Sequence, residues 1–529
     1  MTSLLCILTA WMLQSSCQPA SDVPAVPAEA TPVYRFWSPT YGRHLYTLDE
    51  AERDELLAHY PRIWTCEGPV FRAFGSQRDE RLAPVHHFWS GLLNTHFYTI
   101  DPKEAEGLIA NHADAWTYEG VSFYAFPPSN GPAGTIRLCR FWSDSLGTHF
   151  YTTNDRERFS LVADHSDIWQ DEGVACYVYP LADSCDIQII KGPMLHWVTR
   201  DSVTIVWETD VPAESHLCYG VESPGACRID DSESVTLHRV TLAGLASDTR
   251  YVYAAASGSA IREGSFVTAP APDRAFRFAV CSDTQWDAQT HAQVARSILA
   301  GGPRVVFHAG DLVSAGRDWD TWGTEFFAPA SELLANVPII PIPGNHGYFG
   351  SEAPWFFYYF DRPVSQAWFT LTYGAVRFIG LDTSVPFTVG SPQYEWLLSE
   401  LASSACRDAL WRVAILHEPP FTSTTGHQDN TAVQENLVPL FERHGVDVVF
   451  SGHSHAYERY LWHGTCYIVT GGGGGPLYPL LPDTEPPFRQ VGLCLHHYCS
   501  IDVDPALGTL TIAAIDTAGR VVDLVRLRK

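Results

Sequence analysis

The chain has 529 residues, more than a single hydrophobic core usually supports, and this length predicts three or four domains. Its net charge of -26 at pH 7 excludes the basic surface expected of a nucleic-acid-binding protein or of a polybasic membrane patch. The hydrophobic content of 46% and the aromatic content of 13% exclude a largely disordered chain and predict well-buried cores.

Residues 1–33 predict an export signal followed by a linker. The apolar run at 4–13 is too short to cross a bilayer and is typical of the apolar region of a signal peptide. Cys17 ends a stretch that resembles a bacterial lipoprotein cleavage site, so it is the candidate for a lipid anchor. Ordinary secretion without modification of Cys17 is the alternative. Both interpretations predict a secreted or cell-envelope protein.

Residues 34–182 contain three copies of one sequence pattern, spaced by 52 and then 53 residues. Each copy carries a Phe-Trp-Ser motif and a His-x-Tyr-Thr motif, which begin at Phe36 and His44, Phe88 and His96, and Phe141 and His149. Such a period is typical of one supersecondary unit copied in tandem. It predicts an α+β triple-repeat domain, in which a unit has two short strands, a helix such as 49–59 and a strand around 70–74.

The aromatic residues of these repeats are predicted to form a core, because Trp and Tyr supply much of the burial in small units. Binding of a cell-surface polysaccharide by aromatic stacking is the alternative role for the N-terminal repeats. The repeats resemble a family of uncharacterised function found in exported bacterial proteins, and this resemblance assigns them no ligand.

Residues 183–272 change to short strands of alternating polarity, such as 203–209 and 263–268, separated by polar turns. This spacing predicts a small antiparallel β-sandwich. The run 242–253 resembles the corresponding stretch of fibronectin type III-like domains, and specifically of the domain that precedes the catalytic unit in purple acid phosphatases. The resemblance implies an all-β fibronectin type III-like sandwich, for which we expect a scaffolding role.

Thirteen cysteines, eleven of them after Cys17, predict disulfides in an exported protein. The first predicted pair flanks a turn rich in Gly, Ser and Pro. The predicted pairs are Cys218 with Cys227, Cys176 with Cys185, and Cys466 with Cys494 or Cys499. Because eleven is an odd number, at least one thiol is expected to remain free.

From residue 273 to 529 strands alternate with helices, which predicts an α/β layered domain. The predicted strands are 276–283, 305–311, 338–342, 378–382, 411–416 and 446–450, and helices are predicted at 392–403 and 432–444. Polar side chains follow five of these strands, namely Asp283 with Gln285, Asp311, Asn345 with His346, His417, and His453 with His455. Ligands of open α/β sheets bind beyond the carboxyl ends of the strands, so we expect these side chains to converge.

The mixture of carboxylate, amide and imidazole groups predicts a site for two metal ions. A carboxylate that bridges two cations, for which Asp311 is the candidate, lets them activate a water and polarise the oxygens of a phosphoryl group. This donor set suits Zn, Fe, Mn or Co better than Ca or Mg, which favour all-oxygen ligands. Any one of these residues, taken alone, could instead be a helix-capping Asp or a core His. Such structural roles do not explain why polar ligand-type residues follow five strands in this order.

This ordered set resembles the calcineurin-like metallophosphoesterase superfamily, and the stretch 452–459 with the preceding sandwich resembles its purple acid phosphatase branch. The resemblance implies a four-layer α/β sandwich and two divalent or trivalent transition-metal ions, Fe, Zn or Mn. It implies that Asp283 and His455 hold the first metal, that Asp311 bridges, that Asn345, His417 and His453 hold the second, and that His346 stabilises the phosphoryl transition state or protonates the leaving oxygen.

Three positions depart from the purple acid phosphatase pattern. Ser314 stands where those enzymes carry a tyrosine, so no tyrosinate-to-iron colour is expected and a preference for Fe(III) is not implied. Gln285 stands where the first motif usually ends in His or Gly, and it is predicted to ligate weakly through its amide oxygen or to hold a water. Gly347 replaces an acidic residue, so His346 is expected to be a weaker proton donor or to work at lower pH.

Several residues near the motifs have two interpretations. His427, in a loop at 422–429, is predicted to reach the substrate, with a solvated loop histidine as the alternative. Tyr457 and Arg459 either line the pocket or pack structurally. His308 is predicted to be core. The glycine run 471–475 lacks the Lys-Ser/Thr of a nucleotide loop and is predicted to be a tight strand exit near the metals.

We therefore expect an exported phosphatase that hydrolyses phosphate monoesters, with a small phosphorylated substrate, a metal-activated hydroxide as nucleophile and no covalent phosphoenzyme. A phosphodiesterase or nucleotide hydrolase on the same metals is the alternative activity. A surface glycan-binding protein with a weak or vestigial phosphatase site is the alternative of another class.

Overall fold

The structure is a computed structural model, and it describes residues 26–129, 131–181, 187–348, 353–360, 367–481 and 488–529. The predicted signal segment with Cys17 lies outside these residues, and so does Cys185. In the described ranges no helix is both long and apolar enough to cross a membrane.

The N-terminal part consists of three units with the same order of elements: strand, strand, helix, strand. In each unit the first strand lies in the middle of a three-stranded antiparallel sheet. Each helix begins after an Asp or Asn whose side chain accepts a hydrogen bond from the first turn. The elements are β1 (Thr31–Ser38), β2 (Arg43–Thr47), α1 (Glu50–His59), β3 (Thr65–Ala73), β4 (Ala83–Ser90), β5 (Thr95–Thr99), α2 (Pro102–Asn111), β6 (Thr117–Ala125), β7 (Ile136–Ser143), β8 (Thr148–Thr152), α3 (Asp155–Asp164) and β9 (Gln170–Val178).

A ring of three buried tyrosines joins the units, one from the second strand of each. The hydroxyl of Tyr46 donates to the carbonyl of Tyr151 at 2.7 Å, that of Tyr151 to Tyr98 at 2.7 Å, and that of Tyr98 to Tyr46 at 3.1 Å. The rings meet edge to face, 5.6 to 5.7 Å apart. Because each buried hydroxyl finds its partner in another unit, the units close around one core, which confirms the predicted core role of these aromatic residues.

The middle part forms five strands that continue into a sheet of the C-terminal part, residues 273–529. They are β10 (Ile189–His196), β11 (Ser202–Gly220), β12 (Cys227–Ala243), β13 (Arg250–Ser257) and β14 (Ala260–Val267). The long β11 shifts register between Glu208 and Ala213, so its first half pairs with β10 and its second half with β13. A parallel pairing of His196 with Ile339 joins β10 to the next domain. The hydrogen bonding is thus continuous across the predicted boundary at 272, and the fibronectin type III-like character stays a prediction.

The C-terminal part contains strands of two sheets and their covering helices. Its elements are β15 (Phe276–Cys281), α4 (Ala288–Gly301), β16 (Val306–His308), α5 (Trp319–Thr321), a π-helical turn (Trp322–Phe327), α6 (Ser331–Asn336), β17 (Ile339–Pro341), α7 (Asn345–Tyr348), α8 (Pro354–Phe360), β18 (Phe369–Tyr373), β19 (Val376–Gly380), α9 (Pro392–Leu401), α10 (Ser404–Arg407), β20 (Trp411–Ile415), α11 (Thr431–Asn436), α12 (Val438–His444), β21 (Val448–Ser451), β22 (Tyr457–Trp462), β23 (Thr465–Thr470), β24 (Arg489–Leu493), β25 (His497–Asp504), β26 (Thr509–Asp516) and β27 (Val521–Arg528).

The two sheets pack face to face, with helices on both outer sides. The first contains β17-β16-β15-β25-β26-β27 and the second β18-β19-β20-β21-β23-β22-β24. Phe278, Phe307 and Phe378 are fully buried between them, and the rings of Phe307 and Phe378 stack at 4.0 Å. Buried side chains of α4, α6 and α8 cover the first sheet, and those of α9 and α12 cover the second. The result is the predicted four-layer arrangement.

All six strands predicted for this domain are present, but one predicted helix is not continuous. The pattern at 432–444 predicts a single helix, whereas the chain forms α11 and α12 with a break at Leu437. Pro439 stands at the start of α12, and it has no backbone N–H to bond with the preceding turn. Pro439 therefore lies in the first turn of a new helix and does not continue α11.

The predicted disulfide pairs are wrong. Cys218 is disulfide-bonded, but Cys227 carries a free thiol. Cys176 is also free, and so are Cys466 and its two predicted alternative partners, Cys494 and Cys499. Cys466 in β23 and Cys499 in β25 stand on strands of different sheets. Both are buried, as is Cys176 in β9, and each packs as a small apolar residue.

Candidate metal centre

Sharp backbone turns at the ends of β15, β16 and β21 bring polar side chains to one place. Asp283, Asp311 and His453 have φ angles of 58°, 55° and 66°, in the left-handed region that few residues other than glycine adopt. Residues held in this way cluster at functional sites. Two glycines make room for the carboxylates, since a Cβ on Gly344 would lie 2.2 Å from Asp311 Oδ1 and one on Gly452 would lie 2.4 Å from Asp283 Oδ2.

One half of the cluster contains an amide oxygen between two imidazoles. Asn345 Oδ1 lies 3.0 Å from His417 Nε2 and 2.9 Å from His453 Nδ1. Asp311 Oδ2 lies 3.1 Å from the same nitrogen of His417. The other ring nitrogen of His417 is bonded to the carbonyl of Ala309 at 2.8 Å, which fixes the ring and turns Nε2 toward the cluster.

The other half contains Asp283, Gln285 and His455, all of them buried. His455 Nε2 lies 3.5 Å from Asp283 Oδ1, and its Nδ1 is bonded to the carbonyl of Pro476 at 2.7 Å. The amide nitrogen of Gln285 lies 3.4 Å from Asp311 Oδ2. Asp311 therefore contacts members of both halves, which is the position predicted for a bridging carboxylate.

The charges in this cluster depend strongly on one another. Burial disfavours ionised Asp283, but the hydrogen bond and charge of His455 outweigh it and hold the pKa of this carboxyl well below its usual range. Burial also disfavours a charged His417, yet the carboxylate of Asp311 raises its pKa to about 10. Burial, with the charge of His417, lowers the pKa of His453 to about 2. Anionic carboxylates thus face imidazoles that cannot all carry a proton, and bound cations fit this balance.

The donor set also fits transition metals on structural grounds. Gln285 Oε1 is buried and has no hydrogen-bond partner among the described residues, so it is an acceptor that a cation would satisfy. Ligand atoms of Asp311, His417 and His453 lie within 4.8 Å of one another. Imidazole, carboxylate and amide ligands together suit Zn, Fe or Mn.

A model of the calcineurin-like phosphoesterase family matches residues 276–457, a range that contains every member of this cluster. The chain contains a calcineurin-like metallophosphoesterase domain. A second model, for a domain of unknown function (DUF5648), matches residues 32–179.

The relatives of the metallophosphoesterase domain are purple acid phosphatases and similar enzymes. A phosphoenolpyruvate phosphatase of Allium cepa is 28% identical, over 55% of this chain and 66% of that protein. Purple acid phosphatase 1 of Ipomoea batatas is 31% identical, over 43% of this chain and 52% of that protein. The purple acid phosphatase of Glycine max is 28% identical, over 49% and 62%. The chain thus spans between about half and two thirds of the length of these relatives.

Solved structures share the fold. Purple acid phosphatase PPD1 from yellow lupin (Lupinus luteus) seeds superimposes with a TM-score of 0.56 at 18% identity, over 68% of this chain and 77% of that one. The structure of PhoD superimposes with a TM-score of 0.50 at 15% identity, over 64% of this chain and 89% of that one. At this level of identity the likeness concerns the fold alone.

His346 lies at the edge of the metallophosphoesterase cluster, as predicted. Its backbone N–H donates to Asp311 Oδ1 at 2.9 Å, and its Nδ1 is bonded to the carbonyl of Ser314 at 2.8 Å. Its Nε2 lies 3.9 Å from Asp311 Oδ2. Ser314, where purple enzymes have their tyrosine, turns its own hydroxyl away, toward Glu325 at 2.7 Å. The serine thus acts on the site through its carbonyl, which orients His346.

His427 lies against the cluster, and its ring centre is 3.7 Å from that of His453. Two further aromatic residues, Tyr478 and Trp286, lie at the mouth of the cluster, the side on which His346 and His455 stand. No sequence motif marks either of them. Tyr478 stacks on His455 at 4.4 Å, and the half-exposed Trp286 meets the ring of His346 edge to face at 4.8 Å. The positive φ of Trp286, 70°, is visible only in the structure.

The residues with two interpretations are now assigned. Tyr457 and Arg459 both bond to Asp523, at 2.7 Å and 2.6 Å, so they pack structurally. His308 is buried and bonded to the Thr284 hydroxyl at 3.1 Å, which confirms its core role. Backbone N–H groups of the glycine run donate to carbonyls of residues 282 and 283 at 2.9 Å, so this run packs along a strand exit as predicted.

Proposed function

We propose that this protein hydrolyses phosphate monoesters with a pair of transition-metal ions, Fe, Zn or Mn. Asp283, Gln285 and His455 would hold one ion, Asn345, His417 and His453 the other, with Asp311 between them. The observation that carries this proposal is the buried Oε1 of Gln285, which has no hydrogen-bond partner in the described part of the chain and lies beside donors from five strand exits. The purple acid phosphatases among the relatives support a small phosphorylated substrate.

The residues of the chain have distinct tasks in this reaction. Two ions held by these residues would supply a nucleophile from water near neutral pH and would polarise the phosphoryl oxygens. Asp311 holds the two halves of the site together, and Gly344 keeps its carboxylate in place. His346 has Nδ1 held by the Ser314 carbonyl, so Nε2 is the nitrogen that faces the site and donates to the phosphoryl group or to the leaving oxygen. His427 lies beside His453, where it contacts the substrate.

The first test is Asp311→Asn, in which one carboxylate charge is lost without a change of shape. We expect the metal content, measured by elemental analysis, to fall by up to the two ions of this site, and hydrolysis of p-nitrophenyl phosphate to fall to background. Asp502→Asn is the matched control, because Asp502 is exposed and forms an ion pair with Arg277 on the surface of the same domain. Wild-type protein without metal and without activity after Zn, Fe or Mn is added would contradict the proposal. Activity on bis-p-nitrophenyl phosphate alone would show a diesterase.

We also propose export to the cell envelope, on the basis of residues 1–33, with Cys17 as the lipid-modified residue. Cell fractionation of wild type and Cys17→Ala tests both steps. Membrane association that depends on Cys17 supports the anchor, release of both proteins in processed form supports simple secretion, and retention in the cytoplasm contradicts export. Polysaccharide binding is not part of the proposal, since the tyrosines of the repeats point into their own core.

A further inference from the structure

We propose that the second N-terminal unit binds a divalent transition-metal ion, such as Zn²⁺, through His87, His96 and Glu119. This site lies outside the metallophosphoesterase domain and is independent of its activity.

The three residues come from the three strands of one sheet, β4, β5 and β6. His87 Nε2 lies 2.9 Å from His96 Nδ1, and His87 Nδ1 lies 3.3 Å from a carboxylate oxygen of Glu119. One ligand atom from each residue lies within 4.8 Å of the other two. The side chains of His87 and His96 are 13% and 10% exposed, and that of Glu119 is 38% exposed. The imidazoles are therefore largely buried, while the carboxylate leaves a way in from solvent.

The first and third units fill the position of His87 with arginine. Each guanidinium pairs with the glutamate of its own third strand and with a glutamate on the helix of another unit. The ion pairs are Arg35–Glu67 (2.6 Å), Arg35–Glu157 (2.9 Å), Arg140–Glu172 (2.7 Å) and Arg140–Glu104 (3.0 Å). A fixed positive charge thus neutralises two carboxylates in both of these units.

The second unit keeps the glutamates and lacks the arginine. Glu119 corresponds to the glutamate of the third strand, and Glu52 corresponds to the one on the neighbouring helix. In the part of the chain that the structure describes, neither is ion-paired with an arginine or a lysine. Burial, together with the charge of Glu52, raises the pKa of Glu119. A metal ion held by His87 and His96 would supply the positive charge that the guanidinium supplies elsewhere.

The ligand chemistry selects the class of ion. Two imidazoles and one carboxylate form a common three-ligand set for Zn²⁺, with water in the fourth position. Nitrogen ligands disfavour Ca²⁺ and Mg²⁺, which prefer oxygen shells. Burial of the two rings favours the neutral imidazole, which is the form that ligates a metal.

The test compares wild type with His87→Arg in the full chain, stripped by a chelator, reloaded with Zn²⁺ and desalted. The first and third units show that arginine fits this position, so the variant should fold, which circular dichroism checks. We expect wild type to retain one more Zn²⁺ per chain than His87→Arg. Equal zinc content in the two folded proteins would mean that the histidines only pack, and it would overturn the proposal.

Two further variants sharpen the comparison. His149→Ala removes the corresponding histidine of the third unit, where Arg140 is present, and it should leave the zinc content unchanged. Arg140→His rebuilds the histidine pair beside Glu172 and should add one Zn²⁺ per chain. With Co²⁺ in place of Zn²⁺, the visible absorption of wild type minus His87→Arg should show a nitrogen-ligated ion. Absence of this difference spectrum also counts against the site.

The result does not depend on the phosphatase proposal. His87→Arg should retain the p-nitrophenyl phosphate hydrolysis of wild type, and its zinc difference should persist when both proteins also carry Asp311→Asn. An inactive wild type with a zinc difference would contradict only the phosphatase, and an active wild type without one would contradict only the zinc site.

Discussion

Gln285 is the residue whose chemistry depends most on what binds beside it. It follows β15 at the position where the family motif usually ends in His or Gly, and its side chain is buried. Its amide nitrogen contacts Asp311, whereas its amide oxygen has no partner among the described residues. An unsatisfied buried oxygen costs about 1 to 3 kcal/mol. A cation ligated by that oxygen would remove the cost, which supports the proposal that Gln285 is a metal ligand.

Replacement of Gln285 distinguishes a ligand from a packing residue. Gln285→Ala should weaken binding of one metal by about tenfold or more, because a ligand is lost from a partly assembled set. Gln285→His supplies an imidazole nitrogen in place of the amide oxygen and should bind this metal at least as tightly as wild type. Metal titration followed by activity measures both. If Gln285→Ala binds metal as wild type does, the glutamine is no ligand and only supports the neighbouring carboxylate.

At the scale of elements, the short connection between β17 and α7 decides the geometry of the site. It leads into α7, which supplies Asn345 and His346, and its Gly344 sits directly against Asp311. Parallel strands of both sheets end at this edge, so each following connection has only a few residues in which to turn its polar side chain inward. These connections therefore contain small residues such as Gly344 and residues with left-handed backbone angles.

Gly344→Ala should remove activity while the fold persists. The added Cβ would lie 2.2 Å from Asp311 Oδ1 and 2.5 Å from its backbone nitrogen, so the bridging carboxylate must move. A displacement of this kind costs about 100-fold in rate. Gly347→Ala, in the helix that follows, is the matched control, because its Cβ would meet nothing closer than 4.0 Å. Comparable activity of the two variants would show that the position of this connection does not control the site.

At the scale of the whole molecule, a buried lysine links the three parts of the chain. Lys191 Nζ lies 3.1 Å from Glu208 Oε2 of β11 and 2.8 Å from the Tyr359 hydroxyl of α8, and it stands 3.1 Å from the ring centre of Trp319. Arg156, on the helix of the third N-terminal unit, lies 3.1 Å from the other oxygen of Glu208. The three parts therefore meet around one buried carboxylate, which explains how the N-terminal units are fixed to the catalytic domain.

This lysine should make stability depend on pH. Burial lowers the pKa of Lys191 to about 7, against the attraction of Glu208. An unfolded lysine keeps its proton up to about pH 10.4, so between pH 7 and 10 the unfolded chain binds more protons here and stability rises with pH. The thermal midpoint of wild type minus that of Lys191→Met should therefore increase over this range, by about 2 to 4 °C per kcal/mol. Lys103→Met, at an exposed helix position, is the control. A difference that is constant or decreases with pH would refute this prediction.

Much of the site could be predicted because its residues follow strands directly. Asp283, Asp311, Asn345, His417 and His453 each stand within a few positions of a recognisable apolar strand, and the parallel sheet brings the strand ends together. Trp286 and Tyr478 could not be predicted, because they reach the mouth through loops whose course depends on contacts with distant residues. The orientation of Ser314 toward Glu325 likewise depends on how a π-helical turn packs beside the site.

The sequence by itself determined three properties of the protein: the threefold repeat, the order of the strands, and the residue types that follow those strands as candidate metal ligands. These are local properties, since hydrophobic patterning and strand ends are encoded within short windows. Only the tertiary structure decided which cysteines stay apart, how β11 bends into two pairings, and how His87, His96 and Glu119 meet across three strands. Each of these features depends on contacts between residues that are distant in the chain or that no local sequence pattern marks. Such contacts follow from strand register and packing, which a short stretch of sequence does not specify.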